Sequence, residues 1–222
     1  MLILGIDDSG RGPIIGPMIL AGCLIDSAIE KEFKDLGVKD SKLLIPKKRE
    51  ILAEIIRKKA LSYHIIIISP SEVDEHVKSV NINTLEAIKA GEITNKLNQG
   101  KDKIKVIVDC PSPNIKNWRS VLLRYIENIK NIELICEHKA DRNHIAVSAA
   151  SILAKSTREK EIKKIKKRLG IEFGSGYPSD PITKKFLEDY SKKHEKDGIF
   201  RLTWQTWKNH NSKKEQKKLG EF

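Results

Sequence analysis

Four carboxylates stand where chemistry could gather: Asp7 and Asp8 close the apolar run LILGI, Asp109 ends IKVIVD, and Asp141 lies within HKADRNH. Taken singly, an aspartate after a strand is a turn former or a helix cap. Brought together in one cleft, the four would repel and raise one another's pKa unless a cation neutralised them. Oxygen-only ligands suit Mg2+ or Mn2+, which keep waters and accept phosphate oxygens as further ligands. Two such ions, roughly 3.5–4 Å apart, can activate a water and stabilise the leaving oxygen in phosphodiester hydrolysis.

The rest of the chain carries the opposite charge. Lys and Arg outnumber Asp and Glu by 42 to 30 over 222 residues, a net charge of +12 that points to a polyanionic partner such as nucleic acid. A basic surface around an acidic centre is the charge plan of a nuclease. No apolar stretch approaches the roughly 18–20 residues of a membrane span, and the start lacks a basic region and cleavage site for secretion, so a cytoplasmic protein without membrane contact is expected. Cys23, Cys110 and Cys136 have no C-x-x-C spacing and lie in or beside apolar runs, which favours buried thiols over zinc ligands.

These carboxylates need a scaffold. Residues 2–6, 17–25, 63–68, 104–109 and 132–137 are short β-branched runs that read as five strands, several apolar throughout and hence covered on both faces. About ten residues separate the first two, too few for a crossover helix, so they form an antiparallel pair in a mixed sheet. Helical periodicity covers 45–61, with Ile51, Leu52, Ile55 and Ile56 on one side, and 83–98, with Asn83 as N-cap. A long basic helix over 148–170 opens with small residues that permit close packing and stops at Gly170. GSGYPSDP (174–181) is turn chemistry around Tyr177, 182–194 is helical again, and from Asn209 the chain reads as a polar basic tail.

Taken together, GIDDSGRGPIIGPM, the DSK of 40–42, IVDCPS, HKAD followed by VSAASILAK, GSGYPSDP and the late RLTW resemble the type 2 ribonucleases H, ribonuclease HII. The resemblance runs from about residue 2 to 207. It implies an α/β fold, a ribonuclease H-like mixed five-stranded sheet flanked by helices, with a helical C-terminal part forming the substrate groove. The expected organisation is a catalytic domain over 1–208 and a basic tail over 209–222.

The resemblance makes Asp7, Asp8, Asp109 and Asp141 the metal-binding carboxylates of an endonuclease that acts on RNA/DNA hybrids and DNA containing ribonucleotides, leaving 5′-phosphate and 3′-hydroxyl ends. The family normally has Glu at the position of Asp8. Asp is one methylene shorter, and consecutive strand residues point to opposite faces, so Asp8 can serve only if the backbone turns, which Gly10 permits. Gly10, Arg11 and Gly12 would bring peptide groups to a ribose 2′-hydroxyl, with Tyr177 against the neighbouring sugar. Lys42, Asn81, Asn83, Ser148 and Lys155 are the expected phosphate contacts, and His144 is expected to pack.

Gln216, Leu219 and Phe222 in QKKLGEF have the spacing of a sliding-clamp-binding peptide, with one helical turn placing Leu219 and Phe222 on one face. Nothing calls for more than a monomer. Two rivals remain: another phosphotransfer enzyme of the same fold, such as a junction resolvase, and a nucleic-acid binder disabled at Asp8.

Overall fold

The computed structural model describes residues 1–39 and 44–219, with side chains as far as Ser212. The five expected strands are β1 (Leu2–Ser9), β2 (Met18–Ile25), β3 (Ser62–Ile68), β4 (Ile104–Asp109) and β5 (Ile132–Glu137). They form one mixed sheet in the order β3-β2-β1-β4-β5. The first hairpin is antiparallel as expected, β2 and β3 are antiparallel, and β1, β4 and β5 run parallel. Asp7 and Asp8 do not follow the first strand but lie within it: Asp7 pairs with Ala21, Asp8 with Leu20 and Ser9 with Ile19, so the ladder carries β1 past the carboxylates.

The helices are α1 (Ser27–Asp35), α2 (Pro46–Lys59), α3 (Pro70–Ser79), α4 (Ile82–Leu97), α5 (Ile115–Leu123), α6 (Ala140–Asn143), α7 (Ile145–Leu169), α8 (Pro181–His194) and α9 (Gln205–Leu219). On α2 it is Leu52, Ala53 and Ile56 that are buried, while Ile51 faces solvent. The N-cap of α4 is Asn81, whose side chain accepts the Thr84 N–H at 3.0 Å; Asn83 is already inside the helix, and its oxygen is taken by Arg11. Helix α7 starts at Ile145, three residues before the expected start, because the β-branched Ile145 and Val147 conceal its first turn. Helix α9 runs unbroken across residue 209, where a tail was expected to begin.

The alternation of β1 divides the core. Ile3, with Ile107 of β4, packs toward α7 and α2; Leu4 and Ile6, with Val106 and Val108, pack toward α4 and α5. Closest approach occurs at Gly5, where a Cβ would lie 2.1 Å from the backbone carbon of Ala146. The small residues that open α7 therefore let its first turns sit directly on the sheet. A third cluster joins Ile14 and Ile15 to Ile162, Phe173, Phe186, Phe200 and Trp207, fastening the C-terminal helices to the loop after β1.

Candidate active site

The sheet's pleat decides where each carboxylate points. Odd-numbered residues of β1 face α7, so Asp7 shares that side with Asp109, which follows Ile107 by two. One carboxylate oxygen each from Asp7, Asp109 and Asp141 lies within 4.8 Å of the others. Asp8, one residue on, falls on the α4 side and is not a member of that triplet.

Asp141 reaches the cluster through a strained turn. Lys139 is the one non-glycine with positive φ among the described residues (φ 60°), a left-handed conformation that only surrounding contacts sustain. Those contacts include the Ala140 N–H, which donates to Asp109 Oδ1 at 3.1 Å, and the buried Ser148 hydroxyl, which donates to the Asp141 carbonyl at 2.5 Å. Ser148, expected at phosphate, is thus turned inward. His144 Nε2 lies 3.0 Å from Glu137 Oε1 at the end of β5.

Burial acts first on Asp7, and with the like charges of Asp8 and Asp109 it holds this carboxyl well above the ordinary range despite a hydrogen bond from Ser151 and the nearby Lys155. Burial raises Asp8 to about 6, partly offset by Arg11, Lys155 and Arg201 while Asp109 adds to the rise. Carboxylates held this way favour protons or a cation. Three converging carboxylate oxygens with no nitrogen or sulfur donor fit a hard divalent ion, so Asp7, Asp109 and Asp141 would hold it, with Asp8 adjoining.

Beside the acids lies the GRG loop. Gly10 takes a positive φ of 83°, and a Cβ there would collide with the Arg158 side chain at 2.5 Å. Gly12 faces the Tyr177 ring, 3.7 Å from where its Cβ would be. Arg11 points into the protein: Nη1 donates to the Pro111 carbonyl at 3.0 Å and Nη2 to Asn83 Oδ1. The fully buried Arg201 grips the loop from behind, donating to the carbonyls of Gly10 (2.6 Å), Arg11 (2.8 Å) and Gly16 (3.1 and 3.2 Å). Its guanidinium pKa falls to about 10, through burial first and Arg158 second. Arg158 donates to Ser175 and stacks over the exposed Tyr177 ring, joining GSGY to GRG.

Lys155 Nζ lies 3.1 Å from Ser151 Oγ on the α7 face above Asp7. Lys42 and Phe222 lie outside the described residues, as do the side chains of Gln216 and Leu219. Sequence reasoning missed Glu86, Ser151, Arg158 and the bracing role of Arg201. The RLTW block held a signal for Arg201, and a serine one turn before Lys155 on α7 held one for Ser151. Glu86 gave none, since an acid in a helix reads as surface.

A five-stranded mixed sheet that gathers three carboxylates under a basic helix defines the ribonuclease H-like class of divalent-metal-dependent nucleases. The sequence model of the family Ribonuclease HII matches residues 4–207. Ribonuclease HII of Methanocaldococcus jannaschii is 42% identical, over 99% of this chain and 99% of that protein. The crystal structure of ribonuclease H2 from Pyrococcus horikoshii superposes with a TM-score of 0.85 at 39% identity, covering 96% of this chain and 98% of that one. The PCNA:RNase HII complex of Archaeoglobus fulgidus contains a chain with a TM-score of 0.81 at 35% identity, covering 92% and 96%. The chain belongs to the ribonuclease HII family: it is a type 2 ribonuclease H, an endonuclease that cuts the RNA strand of RNA/DNA hybrids.

Proposed function

We propose that the enzyme also incises duplex DNA at single embedded ribonucleotides, with Asp7, Asp8, Asp109 and Asp141 holding two ions of Mg2+ or Mn2+. The observation that carries this reading is the approach of Asp7, Asp109 and Asp141 within 4.8 Å beside a glycine loop braced against Tyr177. When bound, such ions supply an activated water and stabilise the leaving oxygen, which gives 5′-phosphate and 3′-hydroxyl ends. The chain's own residues do the selecting. Peptide groups of Gly10, Arg11 and Gly12 meet the 2′-hydroxyl, which can donate and accept, and the Tyr177 ring packs on the adjoining sugar. A site built to hydrogen-bond one hydroxyl rejects the analogue lacking it by about 10⁴–10⁵, enough to spare plain DNA. Lys155, Asn81 and Lys42 meet phosphates, Asn83 and Arg11 brace the loop, and Ser148 positions Asp141.

The test is cleavage of duplex DNA carrying one ribonucleotide, by the unmodified enzyme and Asp141→Asn, in Mg2+ and in Mn2+. Incision at the ribonucleotide that is lost in the variant is expected. Cutting of all-DNA junctions, or binding without incision, refutes the reading.

The tail peptide with Gln216, Leu219 and Phe222 docks on a sliding clamp, a reading supported by the clamp complex of the Archaeoglobus relative. The organisation is a catalytic part over 1–208 and a tail over 209–222, and the enzyme acts as a cytoplasmic monomer. Removing 216–222 is expected to abolish clamp binding in a pull-down and to leave cleavage of short duplexes unchanged.

A further inference from the structure

On the α4 side of β1, bordering the three-carboxylate cluster, a small cavity is lined by Asp7, Asp8, Asp109, Pro111, Trp118 and Glu86. Glu86 is 2% exposed, and among the described residues neither of its carboxylate oxygens has a hydrogen-bond partner. Arg11 Nε forms an ion pair with Glu86 Oε1 at 3.7 Å, beyond hydrogen-bond reach. Arg11 directs its other nitrogens elsewhere, to Pro111 and Asn83. A buried carboxylate left with both oxygens unmatched is strongly unfavourable in a protein interior. Such a group is retained where something absent from the bare protein completes its hydrogen bonds.

Ile6, Leu20, Ala90 and Val108 make the remaining walls apolar, so the acids beside Glu86 identify that partner by chemistry. Asp8 is on the same face, and Asp7 and Asp109 are close enough that their charges act on Glu86 alongside that of Asp8. A neutral acceptor ligand would add lone pairs to lone pairs. A hydrated divalent cation brings both positive charge and water hydrogens, and Mg2+ and Mn2+ keep several waters when bound by one or two carboxylates. We propose that Glu86 is a positioning residue of the metal centre: its two carboxylate oxygens accept hydrogen bonds from the hydration shell of an ion held by Asp8 with Asp7 and Asp109. This rests on the ion-binding reading of the four aspartates. Partners of this kind, when removed, typically weaken metal binding about 10–100-fold.

Calorimetric titration of the full chain with MnCl2, without nucleic acid, tests it in the unmodified protein, Glu86→Gln, Glu86→Leu and Asp7→Asn. Gln keeps the shape but removes the charge and turns an N–H donor toward the water hydrogens. Leu fills the space without polar atoms on a helix that tolerates it. At least tenfold weaker Mn2+ binding is expected in both Glu86 variants, each shown by circular dichroism to be folded. Unchanged Mn2+ affinity in either folded variant, together with loss of binding in Asp7→Asn, overturns the role of Glu86 alone. Retained binding in Asp7→Asn overturns the ion site itself. A raised KM for hybrid with unaltered Mn2+ affinity reduces Glu86 to a brace for Arg11 and also refutes the proposal.

Discussion

Replacing Asp8 by Asn makes the metal-free protein more stable, although it removes a residue of the active centre. Burial raises the Asp8 carboxyl from 3.8 to about 6 in the folded protein, whereas the unfolded chain keeps the ordinary value. A folded-state pKa above the unfolded one means that the native protein binds more protons between those values. The stability this confers is fully present below about pH 4 and lost as the pH rises through about 6. A rise of that size corresponds to roughly 3 kcal/mol. Asn still buries a polar amide, so about 1–3 kcal/mol of it is recovered above pH 7, or about 3–9 °C in midpoint for a chain of this length. Thermal unfolding in EDTA from pH 4 to 8 reads the effect, which should vanish toward pH 4. In excess Mn2+ the order reverses, since the unmodified protein gains binding energy that the variant lacks. An Asn variant no more stable than the unmodified protein at pH 8 in EDTA refutes the reasoning.

Arg201→Met empties the grip on the GRG loop and leaves the Gly10, Arg11 and Gly16 carbonyls short of their buried donor; a loss of about 2–5 kcal/mol in urea unfolding is expected, with a raised KM for hybrid substrate. Gly5→Ala forces a methyl carbon to 2.1 Å from the Ala146 backbone, which must lift the start of α7 from the sheet. That variant should unfold at least 10 °C lower and lose Mn2+-dependent cleavage, because Asp141 and Ser151 are both placed through α7 and the turn before it.

The amino-acid sequence determined the local elements and the chemistry they carry. β-branched runs and helical periods follow from side-chain sterics and burial over a few neighbours, so the five strands and the cores of four helices were legible in it. So were the acids, the glycine loop and Tyr177, because motif order is a linear property. The short helices α1, α3, α5 and α6 escaped notice, since a few turns held by tertiary packing leave little periodicity, and so did α9, whose polar run has no apolar stripe.

What the tertiary structure alone decided concerns distance and facing. The pleat of β1 separates Asp7 from Asp8, and a left-handed Lys139 aims Asp141 at Asp109 across about thirty residues of chain. The Arg11 side chain bonds Pro111 and Asn83, partners far from it in the chain, and the grip of Arg201 on the loop spans some 190 positions. Glu86, polar and helical, carries no local sign of burial. Its environment is made by strands and helices that meet only when the sheet closes, and no pattern of neighbours along the chain encodes an electrostatic field produced by residues far away in it.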